Sequence, residues 1–144
     1  MNEEELSKTL RLIGEESDQE DPLSVVRGAE TLLERFGIQK GLVIHTKDYA
    51  MYVGSPLHRD MESGLMFGNM MACAKAVHGS FGTEKEVREA LSYPLSEKGL
   101  AFRETLLSGK YRGRVITVPS RYLTRPRYTI GLGDAFTAGV QMCF

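Results

Sequence analysis

An α/β layer fold, a small β-sheet flanked by helices, is what this 144-residue sequence predicts. A strongly amphipathic helical pattern runs directly into two short β-prone stretches. A third β run, Arg114–Val118, follows three further helical patterns, and the chain ends in a glycine turn that opens an apolar helix. Strands alternating with helices imply that helices cover the sheet faces. With 42% hydrophobic residues and 18 Lys+Arg against 19 Asp+Glu, intrinsic disorder of the whole chain is excluded. Four or so strands make a thin sheet for this much helix, and the first helix has no strand before it, so the pattern reads as part of a larger domain.

Leu6, Leu10 and Ile13 recur at helical spacing behind a cluster of carboxylates, which the positive end of a helix dipole favours. The acidic run Gly14–Pro22 reads as a surface loop. After Pro22 and Ser24, a single apolar stripe of Val25, Val26, Ala29, Leu32, Leu33 and Phe36 predicts the next helix, and Gly37 stops it. Leu42–Ile44 and Tyr49–Val53 are β-prone and joined by a tight Thr46-Lys47-Asp48 turn. Leu65, Met66, Met70, Cys73, Ala74 and Val77 then give a helix, broken by Gly79–Gly82. Thr83 with Glu86 forms a capping box that opens a helix to Leu91, and Ser96–Leu107 is a further helix. Arg114–Val118 is a strand that Tyr122-Leu123 is expected to extend. The last helix runs from the glycine turn to Phe144.

Function classes narrow by exclusion. The longest apolar stretches, Gly41–Ile44 and Ala50–Val53, fall far short of a membrane span. The acidic start Met1-Asn2-Glu3-Glu4-Glu5 does not resemble a secretory signal, and Cys73 and Cys143 sit in apolar helical patterns, which together indicate a reducing cytoplasm without disulfides. There is no C-x-x-C and no H-E-x-x-H, and His45, His58 and His78 are scattered, so a metal would be held by oxygen rather than as zinc. Charge is divided along the chain. Residues 1–72 carry 7 basic and 13 acidic side chains, whereas residues 73–144 carry 11 and 6. Between Thr105 and Gly133 there is no acidic residue, yet Lys110, Arg112, Arg114, Arg121, Arg125 and Arg127 all fall there. This basic segment, interleaved with Tyr111, Tyr122 and Tyr128, suits a phosphate cleft better than a nucleic-acid surface, since no nucleic-acid module accompanies it.

The segment that carries chemistry is Gly131-Leu132-Gly133-Asp134. Glycines at a helix opening let backbone N–H groups converge, and the helix dipole adds positive charge, which makes an anion site suited to a transferring phosphoryl group. Asp134 then either caps the helix or accepts the proton of an attacking hydroxyl.

The surrounding stretch Pro126–Gly139 resembles the catalytic signature of the ribokinase-like sugar kinases, in which a Gly-x-Gly-Asp turn opens the helix under the phosphoryl group. Asn2-Glu3-Glu4-Glu5 resembles the N-x-x-E motif of that superfamily. Leu42–Tyr49 resembles the His-Thr strand segment of the ADP-dependent glucokinase and phosphofructokinase family, and Met66–Asn69 and Tyr93–Leu100 fit the same family in the same order. The resemblance implies a partial ribokinase-like layer sandwich in which residues 1–144 are the C-terminal nucleotide-binding and catalytic portion, without the sugar-binding lid. It implies ADP as phosphoryl donor, Mg²⁺ as cofactor, a role in glycolysis, and a hexose or hexose phosphate as acceptor, fructose 6-phosphate ahead of glucose. Asp134 would be the base, and Gly131, Leu132 and Gly133 the anion hole with it. Asn2 and Glu5 would order the magnesium shell, and His45 and Tyr49 would border the nucleotide. On the residues alone, Asn2 and Glu5 read as a helix cap and His45 as a polar residue at a strand end. Family members are considerably longer, so the chain is expected to need the remaining portion, as a separate N-terminal partner chain or one lost by truncation, to phosphorylate a sugar. The other expectation is a non-catalytic nucleotide-binding or assembly module. In either case an exposed sheet edge should be covered by a partner or by self-association.

Overall fold

The computed structural model of the chain describes residues 1–56, 60–80, 82–112 and 114–143. His58, Phe81 and Phe144 lie outside them. Among the described residues, six α-helices and three strands follow in the order α1 (Glu3–Leu12), α2 (Pro22–Arg35), β1 (Gly41–His45), β2 (Tyr49–Gly54), α3 (Met61–His78), α4 (Glu84–Glu89), α5 (Glu97–Ser108), β3 (Val115–Pro119) and α6 (Leu132–Gln141). The local signals explain most of these boundaries. Asp21 accepts from the N–H of Leu23 ahead of the Pro22 that opens α2, and Thr83 and Glu86 close a reciprocal capping box on α4.

The sheet is antiparallel, ordered β1-β2-β3. Thr46 makes the hairpin: its hydroxyl accepts from the N–H groups of Asp48 and Tyr49, each at 3.0 Å. Side-chain alternation sends Tyr49, Met51 and Val53 of β2 to one face, against Leu6, Val25, Phe102 and Leu106 from α1, α2 and α5. Ala50 and Tyr52 point to the other, where Leu65 of α3 and Phe136 and Val140 of α6 cover them. Helices on both faces of a three-stranded sheet make the α/β layer arrangement, and β2, buried on both sides, reads as a continuous apolar run for that reason.

The predicted extension of the sheet by Tyr122-Leu123 is not formed. β3 ends at Pro119 opposite Tyr49, the first residue of β2, so no partner strand remains. The backbone instead bridges Arg121 to Leu95, and Tyr122 donates to the Pro94 carbonyl.

Helices α3 and α6 are held together by small residues. A Cβ placed on Gly139 would lie 2.7 Å from the Gly68 Cα, and one on Gly68 would meet the Phe136 ring at the same distance. The two backbones are therefore in contact, and any side chain at either glycine would push them apart.

Candidate active site

The chain's first residues, the end of β1 and the start of α6 converge at one end of the sheet. Met1 and Asn2 run alongside β1: the amino group of Met1 donates to the Val43 carbonyl at 2.8 Å, the N–H of His45 donates to the Met1 carbonyl at 3.0 Å, and Asn2 bridges His45 in parallel. The His45 ring packs on Phe136 of α6 with centroids 4.7 Å apart. Its Cε1 lies 3.4 Å from where a Cβ on Gly133 would sit. Burial, followed by the positive chain terminus, holds the His45 imidazole below its ordinary pKa, with Glu5 pulling the other way.

At the opening of α6, Gly131 is left-handed, with φ +71°, and supplies no side-chain cap. The first N–H groups of a helix have no intrahelical partner, so this end presents donors to its surroundings. Asp134 occupies the first turn with its side chain exposed. Of the two roles open to it from the sequence, the cap position itself belongs to Gly131. A Cβ on Gly131 would approach Lys75 Cε at 3.1 Å, with Lys75 Nζ and an Asp134 carboxylate oxygen each 3.8 Å from the same point. Lys75 reaches this place from the last turn of α3, where its ammonium also donates to the Gly79 carbonyl at 3.4 Å.

Asn2 and Glu5 sit beside this end and are engaged with each other. The Asn2 side chain accepts from the Glu5 N–H and a Glu5 oxygen accepts from the Asn2 N–H, both at 2.9 Å, a complete capping box on α1. Tyr49, expected to border the nucleotide, is not at the site. It is 2% exposed and stacked on Phe102 at 4.0 Å, on the sheet face opposite His45 and Phe136. His45 pairs with Ala50, so Tyr49, one position before Ala50, turns to the opposite face, where α1, α2 and α5 bury it. The basic segment is also divided. Lys110, Arg112 and Arg114 precede β3, and Arg114 pairs with Glu30 at the far end of the sheet. That is roughly 15 Å of strand from Arg121, Arg125 and Arg127, which follow β3.

Two features escaped the sequence reading. Lys75 lies among apolar helix residues and nothing in its spacing distinguishes it. A polar network under the hairpin is similarly silent: the Ser96 hydroxyl donates to buried Asp48 at 2.8 Å, the Ser120 N–H donates to the Asp48 carbonyl at 2.8 Å, and the Ser120 hydroxyl donates to Asn69 at 3.3 Å. It ties β1–β2 to α3 and α5, and so fixes the strand end that carries His45.

This architecture is that of the ADP-dependent kinases. A phosphofructokinase from Pyrococcus horikoshii solved with AMP matches 99% of this chain and 35% of its own length, with a TM-score of 0.80 and 23% identity. An ADP-dependent kinase solved with fructose 6-phosphate and ADPβS matches 99% of this chain and 37% of its own, with a TM-score of 0.79 and 21% identity. A family model described as the ADP-specific phosphofructokinase/glucokinase conserved region matches residues 1–142, and the chain belongs to this family. It is 31% identical to the ADP-specific phosphofructokinase of Thermococcus litoralis over 96% of its length, covering 33% of that protein. It is 26% identical to the ADP-dependent glucose/glucosamine kinase of Pyrococcus furiosus, again over 96% of its own length and 34% of the relative's. The chain thus spans about a third of the relatives it matches.

Proposed function

We propose that the chain is the C-terminal, nucleotide-binding and catalytic portion of an ADP-dependent sugar kinase, with Asp134 as the base. The observation that carries this reading is an exposed carboxylate in the first turn of a helix whose leading residue, Gly131, leaves the end without a side-chain cap. A sugar hydroxyl attacks the β-phosphorus of ADP, the bond from that phosphorus to its bridging oxygen breaks, and AMP leaves. Asp134 takes the hydroxyl proton, while the N–H groups of Leu132, Gly133 and Asp134 meet the charge on the transferring group. His45 borders the nucleotide beside Gly133.

Mg²⁺ fits this chain only through water and phosphate. No cluster of three metal-ligating side chains exists among the described residues. Glu5 is exposed and keeps one carboxylate oxygen outside the capping box, which suits ordering a hydrated ion near the phosphates. When bound, Mg²⁺ neutralises charge developing on the phosphoryl oxygens.

The surface that would hold the sugar belongs to the two-thirds of the family's length that this chain does not cover. Fructose 6-phosphate is the preferred acceptor, ahead of glucose. The outer edge of β1 supports docking of that remainder: beyond Met1 it opens onto a cavity of about 650 Å³ lined by Leu42, Val43, Phe136 and Thr137 among others. The test mixes the chain with a polypeptide supplying the rest of a family member, ADP, Mg²⁺ and either acceptor. Phosphorylation that disappears in Asp134→Asn supports catalysis. Its absence from every mixture, with ADP still bound, assigns the chain to a nucleotide-binding or assembly role.

A further inference from the structure

We infer that the outer edge of β1 takes a parallel β-strand, apolar on both faces, from the part of the family's length that this chain does not cover. The inference deepens the proposed function by naming the element through which the remainder docks, and it needs no catalysis by the chain. Direction and register are already set. Met1 forms a rung of a parallel ladder: its nitrogen donates to the Val43 carbonyl at 2.8 Å and its carbonyl accepts from the His45 N–H at 3.0 Å. Backbone groups alternate along an antiparallel pair, so those of Gly41 and Val43 turn outward with His45, while those of Leu42 and Ile44 turn to β2. A strand running into Met1 would continue this ladder. Its residue two positions ahead of Met1 would donate to the Gly41 carbonyl and accept from the Val43 N–H.

The edge is suited to pairing. Gly41–His45 contains no Lys, Arg, Asp, Glu or Pro and pairs with β2 without a bulge, so it lacks the devices that keep a free edge from pairing. The opposite edge has them. Arg114 precedes β3, Pro119 ends it, and just beyond it Ser96 donates to the Ser120 carbonyl and Tyr122 to that of Pro94. Burial follows the same division: β2 is buried at every residue from Tyr49 to Val53, whereas in β1 only Ile44 is, although helices flank both faces. Beside the edge, Val43, Phe136 and Val140 line the α6 side of the 650 Å³ cavity, and Met1 and Leu42 pack toward α1 and α2. A strand seated there is covered on both faces, which calls for the continuous apolar run that β2 itself shows. A second copy fits worse. Two β1 edges related by a twofold axis run antiparallel, and Met1 lies across that path at Val43.

The test extends the chain ahead of Met1 with Lys-Lys-Val-Val-Ile-Val, which holds a probe strand at the edge at high local concentration. Amide hydrogen exchange followed by NMR compares it with the unextended chain and with a Gly-Ser extension of equal length. The apolar extension should slow exchange of the Val43 amide about tenfold or more. Proline in place of the Ile of the extension removes the donor to the Gly41 carbonyl and should abolish this protection. Proline in place of its last Val, whose N–H turns away from β1, should leave most of it. Protection no greater than with the Gly-Ser extension, or equal in the two proline variants, would overturn the proposal. So would an unextended chain whose Val43 protection rises with protein concentration alongside a sedimenting dimer, because a second copy then covers the edge. ADP titration of the same samples keeps the two readings apart: a protected edge without ADP binding overturns the proposed function alone.

Discussion

Two helix openings lie at the same end of the sheet and are built in opposite ways. At α1, Asn2 and Glu5 satisfy each other's backbone N–H groups, so the helix end is closed by its own side chains. At α6, Gly131 brings no side chain, its backbone is left-handed, and the acidic residue of the first turn is exposed. A closed opening contributes to folding, and an open one leaves its donors for something that is not part of the helix. The similar sequence content of the two starts, an acidic residue three positions after an Asn or a Gly, conceals this difference. It also divides the candidate residues: Asn2 and Glu5 have a structural occupation already, whereas Asp134 has none that a cap would supply.

Substitutions should separate the two ends in the same order. Asp134→Asn should reduce phosphoryl transfer by the reconstituted kinase on the order of 10²–10⁴-fold, the usual contribution of a positioned general base, with the melting temperature of the chain unchanged. Initial-rate measurements beside a melting curve check both halves. Gly131→Ala should cost about 1–2 kcal/mol, because φ +71° is strained for a residue with a Cβ, and that Cβ would press on Lys75. Urea unfolding reads the stability, and ADP titration should show weaker binding in the same variant. Asn2→Ala should cost about 1 kcal/mol of stability through loss of the cap, while Asn2→Asp, which can still accept from the Glu5 N–H, should cost a few tenths. If Asn2→Ala instead left stability intact and abolished ADP binding, the contrast between the two openings would be wrong.

The smallest effect belongs to His45, which links the ends. Its folded pKa is depressed, so the unfolded chain binds its proton more readily. Its contribution to stability should be complete above the ordinary histidine value of about 6.5 and be lost as pH falls from there through the folded value. Denaturation midpoints taken across that interval should fall toward acid in the wild type and fall less in His45→Gln.

Much of the fold could be read in the sequence wherever a local rule governed it. The stripe from Val25 to Phe36, the Thr83–Glu86 capping box and the Thr46–Asp48 turn all rest on short-range patterns, and the helices and hairpin appear there. Tyr122-Leu123 failed because β propensity does not reveal whether a partner strand remains, and β2 has already begun at Tyr49. Tyr49 lies away from His45 for a related reason. Its neighbourhood in sequence is that of His45, but the hairpin turns the two to opposite faces, and the stack on Phe102 comes from a helix fifty residues on. At the site, the Gly131–Asp134 turn was legible because glycine spacing and a carboxylate signal a helix opening directly. Lys75 was not, since only the tertiary contact of α3 with α6 brings it to that turn.

The most direct measurement follows the backbone amides of both openings by NMR as ADP is added to the chain. Saturable shifts of the Leu132, Gly133 and Asp134 amides, with the Glu5 amide nearly still, are expected if the open end is the phosphate site. Saturable ADP binding that leaves Gly133 unmoved, or no binding at all, would contradict it.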